Sequence, residues 1–472
     1  MSFLMTLSDL VDVTGGQLIN GDYSFTQLST DSRAVVAGDV FLALSGENFD
    51  GHQFCQQAID NGAIALVVER ELAIDVPQLV VSSAHLALGK IAQYNRQQYK
   101  GPVIAVTGSN GKTTTKELIA SILAQKGNTL ATLGNLNNDI GVPLTLLRFN
   151  AEHQYSVVEM GANGKGEIAY CTALAAPDVA VITNAMAAHL EGFGSLQGVV
   201  EAKAEIFSGL AGSGTAVVNL DDANVEQWLS MLADKKVTTF SLKNALASVF
   251  ASDLKQLAAG NYQFTLNIRE DERLICQQVT LQLLAVHNVK NALAAAACCF
   301  AIGCSVENIV AGLERAEAIN GRLKQLQGLN GATLIDDSYN GNPDSVKAGI
   351  DLLAQLPGKK MLLLGDMAEL GEDELILHRE IGSYAAAKNI DYVMSSGSKG
   401  ALAANEFALV TKAPALALEN KKIMIQTVKE MMNSETKILI KGSLSAGMGD
   451  VVNALKVAND SELNSLSNGD NT

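Results

Sequence analysis

The sequence predicts an α/β protein of three domains built largely on parallel sheets, and three observations carry that prediction. Apolar, β-branched runs alternate with stretches of helical periodicity through most of the chain, the pattern of doubly wound sheets. A chain of 472 residues has room for about three domains. Breaks at Gly101-Pro102 and near Gly321 divide it into three blocks.

The first block, to about residue 84, holds short apolar strands at 40–44 and 63–68 separated by Gly, Asp and Asn turns. Residues 85–100 have the spacing of an amphipathic helix that joins it to the second block. From Val103 to about Ala318, strands are expected at 103–106, 156–160, 179–183 and 215–219, each followed by a turn and then helical periodicity. Residues 238–284 alternate more like antiparallel strands, with 262–268 as the best example. The third block should carry strands at 332–336, 360–364, 391–395 and 437–440. Residues 459–472, rich in Ser, Asn and Asp, read as a disordered tail.

Composition narrows the function classes. With 48% apolar and 18% charged residues the chain is expected to be globular, and a net charge of −16 argues against a nucleic-acid partner. The first residues lack a basic region followed by an apolar core, and no uncharged run reaches membrane-spanning length, so a cytoplasmic location is expected. Six cysteines are scattered without zinc-type spacing, and Cys298-Cys299 reads as core within an alanine-rich helix.

The segment Thr107-Gly108-Ser109-Asn110-Gly111-Lys112-Thr113-Thr114 lies between the strand at 103–106 and an apolar-periodic helix from Lys116 onward. Strand, glycine loop and helix together aim backbone N–H groups and a helix N-terminus at an anion. Lys112 adds a point charge, and the Thr113 hydroxyl suits a phosphate-bound Mg²⁺. The usual phosphate loop has four residues between its first glycine and the Gly-Lys pair, and this one has two. An ordinary polar turn is the bland alternative.

In open α/β sheets ligands gather at the carboxyl ends of strands. Glu159 ends a predicted strand there and suits Mg²⁺ as a hard oxygen donor. His189 follows another strand, and Lys203 sits on the helix after it. Each also has a plain reading: a surface acid, a loop residue, a solvated helix face. In the third block, Asp336-Asp337-Ser338-Tyr339-Asn340-Gly341-Asn342-Pro343-Asp344-Ser345 suits either a ligand loop or a turn, and Gly365-Asp366-Met367-Ala368-Glu369-Leu370-Gly371 repeats the arrangement. Polar strand ends in two blocks suggest a substrate cleft between domains.

Taken together these runs resemble the Mur ligases, ATP-dependent amino-acid ligases of bacterial cell-wall precursor synthesis. The short glycine loop is similar to that family's nucleotide loop; His287-Asn288-Val289-Lys290-Asn291-Ala292 and Gly321-Arg322 resemble its adenine-side and phosphate-side motifs. Thr30-Asp31-Ser32-Arg33, the run from Gly38 to Leu44, and Asp50-Gly51-His52 look like the UDP-binding domain of its two later members. The runs from Gly134 to Pro143, Ser338 to Ser345 and Gly365 to Gly371 are similar to those of the last member, which adds D-alanyl-D-alanine to a UDP-N-acetylmuramoyl-tripeptide. The Asp-Asn-Pro-Arg motif of the diaminopimelate-adding member has no match.

The resemblance implies a small α/β UDP-binding domain (1–84), a central P-loop doubly wound ATPase domain (85–318) and a C-terminal Rossmann-like ligase domain (319–458). It implies that ATP converts a carboxylate to an acyl phosphate, which the amine attacks. By carry-over, Thr107 to Thr114 hold the phosphates through the loop amides and Lys112. Thr113 and Glu159 bind one Mg²⁺, and His189 binds a second; imidazole suits Mn²⁺ at least as well. Lys203 matches a lysine that the family carbamylates with CO₂, which requires a neutral amine. Asn288 and Asn291 contact the nucleoside, Arg322 the phosphates, and Asp337, with Asp336 as competitor, the ribose. Asp31, Ser32, Arg33, Asn135, Asn137, Asn138, Tyr339 and Asn340 are the implied substrate contacts, and a monomer is expected. Leu444 stands where the family has arginine, and Gly449 where it has an acid. Another muramyl-peptide ligase, a folylpolyglutamate-type ligase, or a non-ligating P-loop protein are the alternatives.

Overall fold

The computed structural model describes residues 2–46, 48–186 and 190–457. Two of the sequence expectations, His189 and the tail 459–472, lie outside them. The residues gather into two compact units: Met1–Ala185, Val200–Val249 and Ala294–Gly312 form one, and Met186–Val199, Phe250–Leu293 and Leu313–Thr472 form the other.

In the first unit, six parallel strands run in the order Thr129–Ala131, Tyr155–Glu159, Val103–Thr107, Val179–Ile182, Thr215–Asn219 and Lys236–Ser241. Val103–Thr107 is buried along its whole length and has a parallel neighbour on each side, as a strand inside a doubly wound sheet must. The chain leaves it toward one edge and returns on the other side, so the sheet's topological switch lies at its carboxyl end, where ligands bind in such folds.

The same unit holds a smaller sheet of Gln17–Ile19, Gln78–Val80, Ala65–Val68, Val40–Leu42 and Leu28–Ser29. The helix Ala84–Gln98, capped by the Ser83 hydroxyl, follows that sheet. Its Asn95 Nδ2 donates to Leu146 O (2.8 Å) and Phe149 O (3.0 Å), and Arg96 Nε donates to Ala175 O (2.7 Å). Those bonds sew the N-terminal block to the helices around the larger sheet.

In the second unit, Asn261–Glu270 and Arg273–Leu284 pair antiparallel, as expected from their alternation. The expected antiparallel region began too early, however: Lys236–Ser241 pairs in parallel with Thr215–Asn219. Alternation marks one buried face and does not report strand direction.

The C-terminal sheet runs in the order Lys324–Gln327, Thr333–Asp337, Thr436–Lys441, Lys359–Leu364, Tyr392–Ser396 and Leu416–Leu418, parallel except for the first strand. Successive strand residues face opposite sides. Ile335, Leu362, Leu364 and Leu439 accordingly join a core with Val346, Ile350, Ile381 and Phe407 of three helices. Leu334, Leu363, Ile438 and Ile440 join the other core with Met424, Val428, Val451 and Leu455. Fully burying a side chain of this size contributes roughly 1.5–3 kcal/mol, and the two-faced pattern accounts for the near-continuous apolar strands. No helix among the described residues is long and apolar enough to cross a membrane.

Candidate active site

The glycine loop turns sharply out of Val103–Thr107. Gly108 has φ +148°, and a Cβ there would lie 1.9 Å from Thr183 Oγ1, so only glycine fits. Gly111, at φ +80°, turns the chain into the helix Lys112–Leu123. The helix therefore starts four residues before the apolar periodicity of the sequence, and Thr113, Thr114 and Thr115 form its first turn.

Thr183 and Asn184, just past the end of Val179–Ile182, hold the loop. Ser109 N donates to Asn184 O (3.0 Å) and Asn110 N to Asn184 Oδ1 (3.0 Å). Asn110 O accepts from Thr183 Oγ1 (2.7 Å) and Asn184 Nδ2 (2.9 Å). Neither is among the residues the sequence singles out, although both lie at a carboxyl strand end beside the loop. Lys112 Nζ donates to Gly108 O (2.8 Å), closing the loop on itself, and Thr107 Oγ1 donates to Met160 O (2.7 Å).

Glu159 is buried at the end of the adjoining strand. Its Oε1 accepts from Asn137 Nδ2 (2.8 Å) and, more weakly, from Thr113 Oγ1 (3.3 Å). Its Oε2 is buried and has no hydrogen-bond partner. A buried carboxylate oxygen left unpaired is costly, and a hard divalent cation is the ligand that fits it, with the Thr113 hydroxyl alongside. Among the described residues no three His, Cys, Asp or Glu side chains converge.

Lys203, on the helix Leu196–Ala204, is 2% exposed. Burial, and secondarily the charge of Lys112, lowers its pKa to about 7, with Glu167 and Glu205 opposing. It therefore presents a substantial neutral fraction at physiological pH, which an ordinary lysine does not. Glu205 is occupied in capping the helix Glu167–Ala175, accepting from Gly166 N (2.8 Å) and Ala169 N (3.0 Å).

Of the implied substrate contacts in this unit, Arg33 grips Asp31 through Nε (2.9 Å) and Nη2 (2.8 Å), which holds the Asp31 pKa at about 2. Ser32 is buried and donates to Gln57 Oε1 (2.9 Å). Asn135 and Asn138 are exposed, and Asn138 Oδ1 accepts from Gly141 N (2.8 Å) at the start of the next helix. Asn137 turns to Glu159.

The other unit carries its own set. Asn288 Nδ2 donates to Leu284 O (2.7 Å) and Asn291 Nδ2 to Asn288 Oδ1 (2.8 Å), bracing the first turns of Val286–Ala301. The Arg322 guanidinium lies 4.3 Å from the Tyr339 ring centroid. Asp336 is spent on the turn, accepting from Gly321 N (2.8 Å) and Ser338 Oγ (2.6 Å). Asp337 instead pairs with the buried Lys441 (2.5 Å), whose Nζ also donates to Asn340 O (3.0 Å). Burial raises the Asp337 pKa, and Lys441 pulls it back. Part of the polar run is structural: Asn342 and Ser345 form a capping box, with Pro343 in the first turn of Pro343–Gln355. Lys441, a pivot of this cluster, opens the Lys441-Gly442-Ser443 run that precedes Leu444, and its partner Asp337 lies too far away in the chain for the sequence to show the pairing.

The Gly365–Gly371 loop is also internally committed. Asp366 Oδ1 accepts from Lys399 N (3.1 Å) and Gly400 N (2.7 Å), and Asp366 O accepts from Ser443 N and Oγ. The buried His378 accepts from Met367 N through Nε2 (3.0 Å), which leaves Nδ1 to donate to Glu374 O (2.6 Å).

Three family models match the chain: Mur ligase family, catalytic domain (residues 24–99), Mur ligase middle domain (106–299), and Mur ligase, glutamate ligase domain (321–444). The chain is 43% identical to the UDP-N-acetylmuramoyl-tripeptide–D-alanyl-D-alanine ligase of Escherichia coli, over 96% of this chain and 98% of that one. A crystal structure of MurF from Acinetobacter baumannii superposes with TM-score 0.87 at 36% identity, covering 96% and 98%. A Thermotoga maritima MurF ligase solved with ADP superposes with TM-score 0.79 at 27% identity, covering 93% and 98%.

Proposed function

We propose that this chain, which belongs to the Mur ligase family, joins D-alanyl-D-alanine to a UDP-N-acetylmuramoyl-tripeptide with ATP, completing the pentapeptide precursor of bacterial peptidoglycan. The observation that carries the reading is the Gly108–Thr113 loop beside a buried carboxylate with one uncommitted oxygen, in a chain 43% identical to the Escherichia coli enzyme of that name.

A carboxylate is a poor electrophile because its oxygen leaves badly. Transfer of the γ-phosphoryl group of ATP to the tripeptide's terminal carboxylate supplies a leaving group. The dipeptide amine adds to the acyl phosphate carbon, and the tetrahedral adduct collapses to amide and inorganic phosphate. The protein's task is positioning and charge neutralisation. The amides of Ser109 to Thr113 and Lys112 cradle phosphates. Asn288 and Asn291 face the nucleoside, Arg322 the phosphates, and Asp337 the ribose. Asp31, Ser32, Arg33, Tyr339 and Asn340 serve the muramyl-peptide substrate.

Mg²⁺, when bound, neutralises charge on the phosphates; Thr113 and Glu159 would hold one ion, and His189 with a carbamylated Lys203 a second, for which Mn²⁺ can substitute. The lowered Lys203 pKa supports carbamylation, because only the free amine adds CO₂. In this reading the domains span 1–84, 85–318 and 319–458, and the protein works as a monomer in the cytoplasm.

The test is phosphate release. Stoichiometric phosphate should appear only when ATP, UDP-muramyl-tripeptide and D-alanyl-D-alanine are all present. Release that continues without the dipeptide, or that a single amino acid such as glutamate supports instead, would overturn the reading. Hydroxylamine should trap the acyl phosphate as a tripeptide hydroxamate.

A further inference from the structure

Glu159 is held through both its backbone and its side chain. Its backbone N–H donates to Thr132 Oγ1 (2.9 Å), and Thr132 O accepts from the Nζ of Lys116 (2.7 Å), a buried lysine on the helix that carries Thr113. Its Oε1 accepts from Asn137 Nδ2 (2.8 Å). Asn137 is itself fixed, since its carbonyl accepts from Gly161 N (2.7 Å), two residues beyond Glu159. A Cβ at Gly161 would press on the Asn137 amide at 3.0 Å, so that glycine makes room for it. Of the Glu159 carboxylate, Oε2 has no hydrogen-bond partner among the described residues.

We infer that Asn137 is a positioning residue for the divalent cation: by engaging Glu159 Oε1 it disposes the carboxylate to offer a single oxygen, and so favours Mg²⁺ over Ca²⁺. An amide N–H₂ cannot ligate a cation; its bond engages one lone pair of Oε1 and fixes the carboxylate's orientation, which disfavours ligation through both oxygens. Mg²⁺ demands compact octahedral geometry with single-oxygen ligands, whereas Ca²⁺ accepts two-oxygen carboxylates at longer distance. Partners that orient a metal ligand typically contribute 10–100-fold in affinity. The inference rests on the proposed reading of Glu159 as a cation ligand.

The experiment is Mn²⁺ titration by electron paramagnetic resonance in the presence of a non-hydrolysable ATP analogue, with Ca²⁺ as competitor. In Asn137→Leu, close in volume but without the amide, Mn²⁺ binding should weaken about 10–100-fold, and Ca²⁺ should displace it more readily than in the parent. Asn137→Ser should do the same and replaces the leucine variant if circular dichroism shows that one unfolded. Thr132→Val should weaken Mn²⁺ as well, and Thr132→Ser should restore it. Unchanged Mn²⁺ affinity and Ca²⁺ competition in the Asn137 variants, with a raised KM for the UDP-tripeptide, would make Asn137 a substrate contact and overturn the inference. Glu159→Gln separates the two levels. If it too leaves Mn²⁺ binding unchanged, the reading of Glu159 fails; if it weakens binding and the Asn137 variants do not, only the present inference fails.

Discussion

The two large parallel sheets place polar residues at the same kind of location, the carboxyl ends of their strands, and spend them differently. In the C-terminal sheet the acids are consumed internally: Asp336 by Gly321 and Ser338, Asp337 by Lys441, Asp366 by the amides of Lys399 and Gly400. Beside the glycine loop, Glu159 keeps a buried oxygen with no hydrogen-bond partner among the described residues, and burial lowers the Lys203 pKa to about 7. The Glu159 oxygen marks where chemical capacity resides, because an unsatisfied group gains most from a ligand.

The contrast can be broken at its strongest point. Lys203→Ala should cut ligation by at least about 10²–10³-fold, the range for removing one electrostatic element of a preorganised site, and added short carboxylates should restore part of the rate. Full activity in the untreated variant would remove Lys203 from the chemistry. The next test sets two buried lysines against each other by urea unfolding. Lys441→Met removes the lysine paired with buried Asp337 and should cost about 3–5 kcal/mol. Lys203→Met removes a charge that the fold disfavours and should stabilise at pH 7. Equal signs for the two would dissolve the distinction.

A pH series sharpens it further. The folded Lys203 pKa lies below the free value, so the unfolded chain binds the extra proton between about pH 7 and 10.5. The contribution of Lys203 to stability therefore rises with pH across that window, and its penalty is fully present below pH 7. Activity at ambient CO₂ should fall as pH drops below 7, and bicarbonate added at fixed pH should recover some of it. An acid limb that bicarbonate does not move would assign the limb to another group. The smallest effect is expected at Leu444, 60% exposed beyond Lys441-Gly442-Ser443. Leu444→Arg should shift stability by no more than about 0.5 kcal/mol in thermal unfolding.

Much of this was legible in the chain itself. The strands at 103–106, 156–160, 179–183, 215–219 and the four of the third block were placed within one or two residues, because buried parallel strands are continuous apolar runs bounded by turns. The glycine loop was legible because Gly108 occupies a position where a Cβ would clash with Thr183 and Gly111 a left-handed conformation that favours glycine. Strand direction at Lys236–Ser241 was not legible, since pairing is a long-range choice. The helix start at Lys112 was missed because Thr113 to Thr115 are β-branched and carry no apolar period.

By itself, then, the sequence determined the fold class, the glycine loop between strand and helix, and Glu159 as a candidate at a strand end, all properties of local pattern and residue type; Lys203 became a candidate only through the family resemblance. The tertiary structure alone decided what each group has left to offer. Asn137, separated from Glu159 by 22 positions, takes one of its oxygens. Lys441, separated from Asp337 by 104, neutralises it. Burial likewise makes Lys203 a weaker base than its residue type implies. Hydrogen-bond satisfaction and desolvation are sums over neighbours from distant parts of the chain, and no local reading contains them.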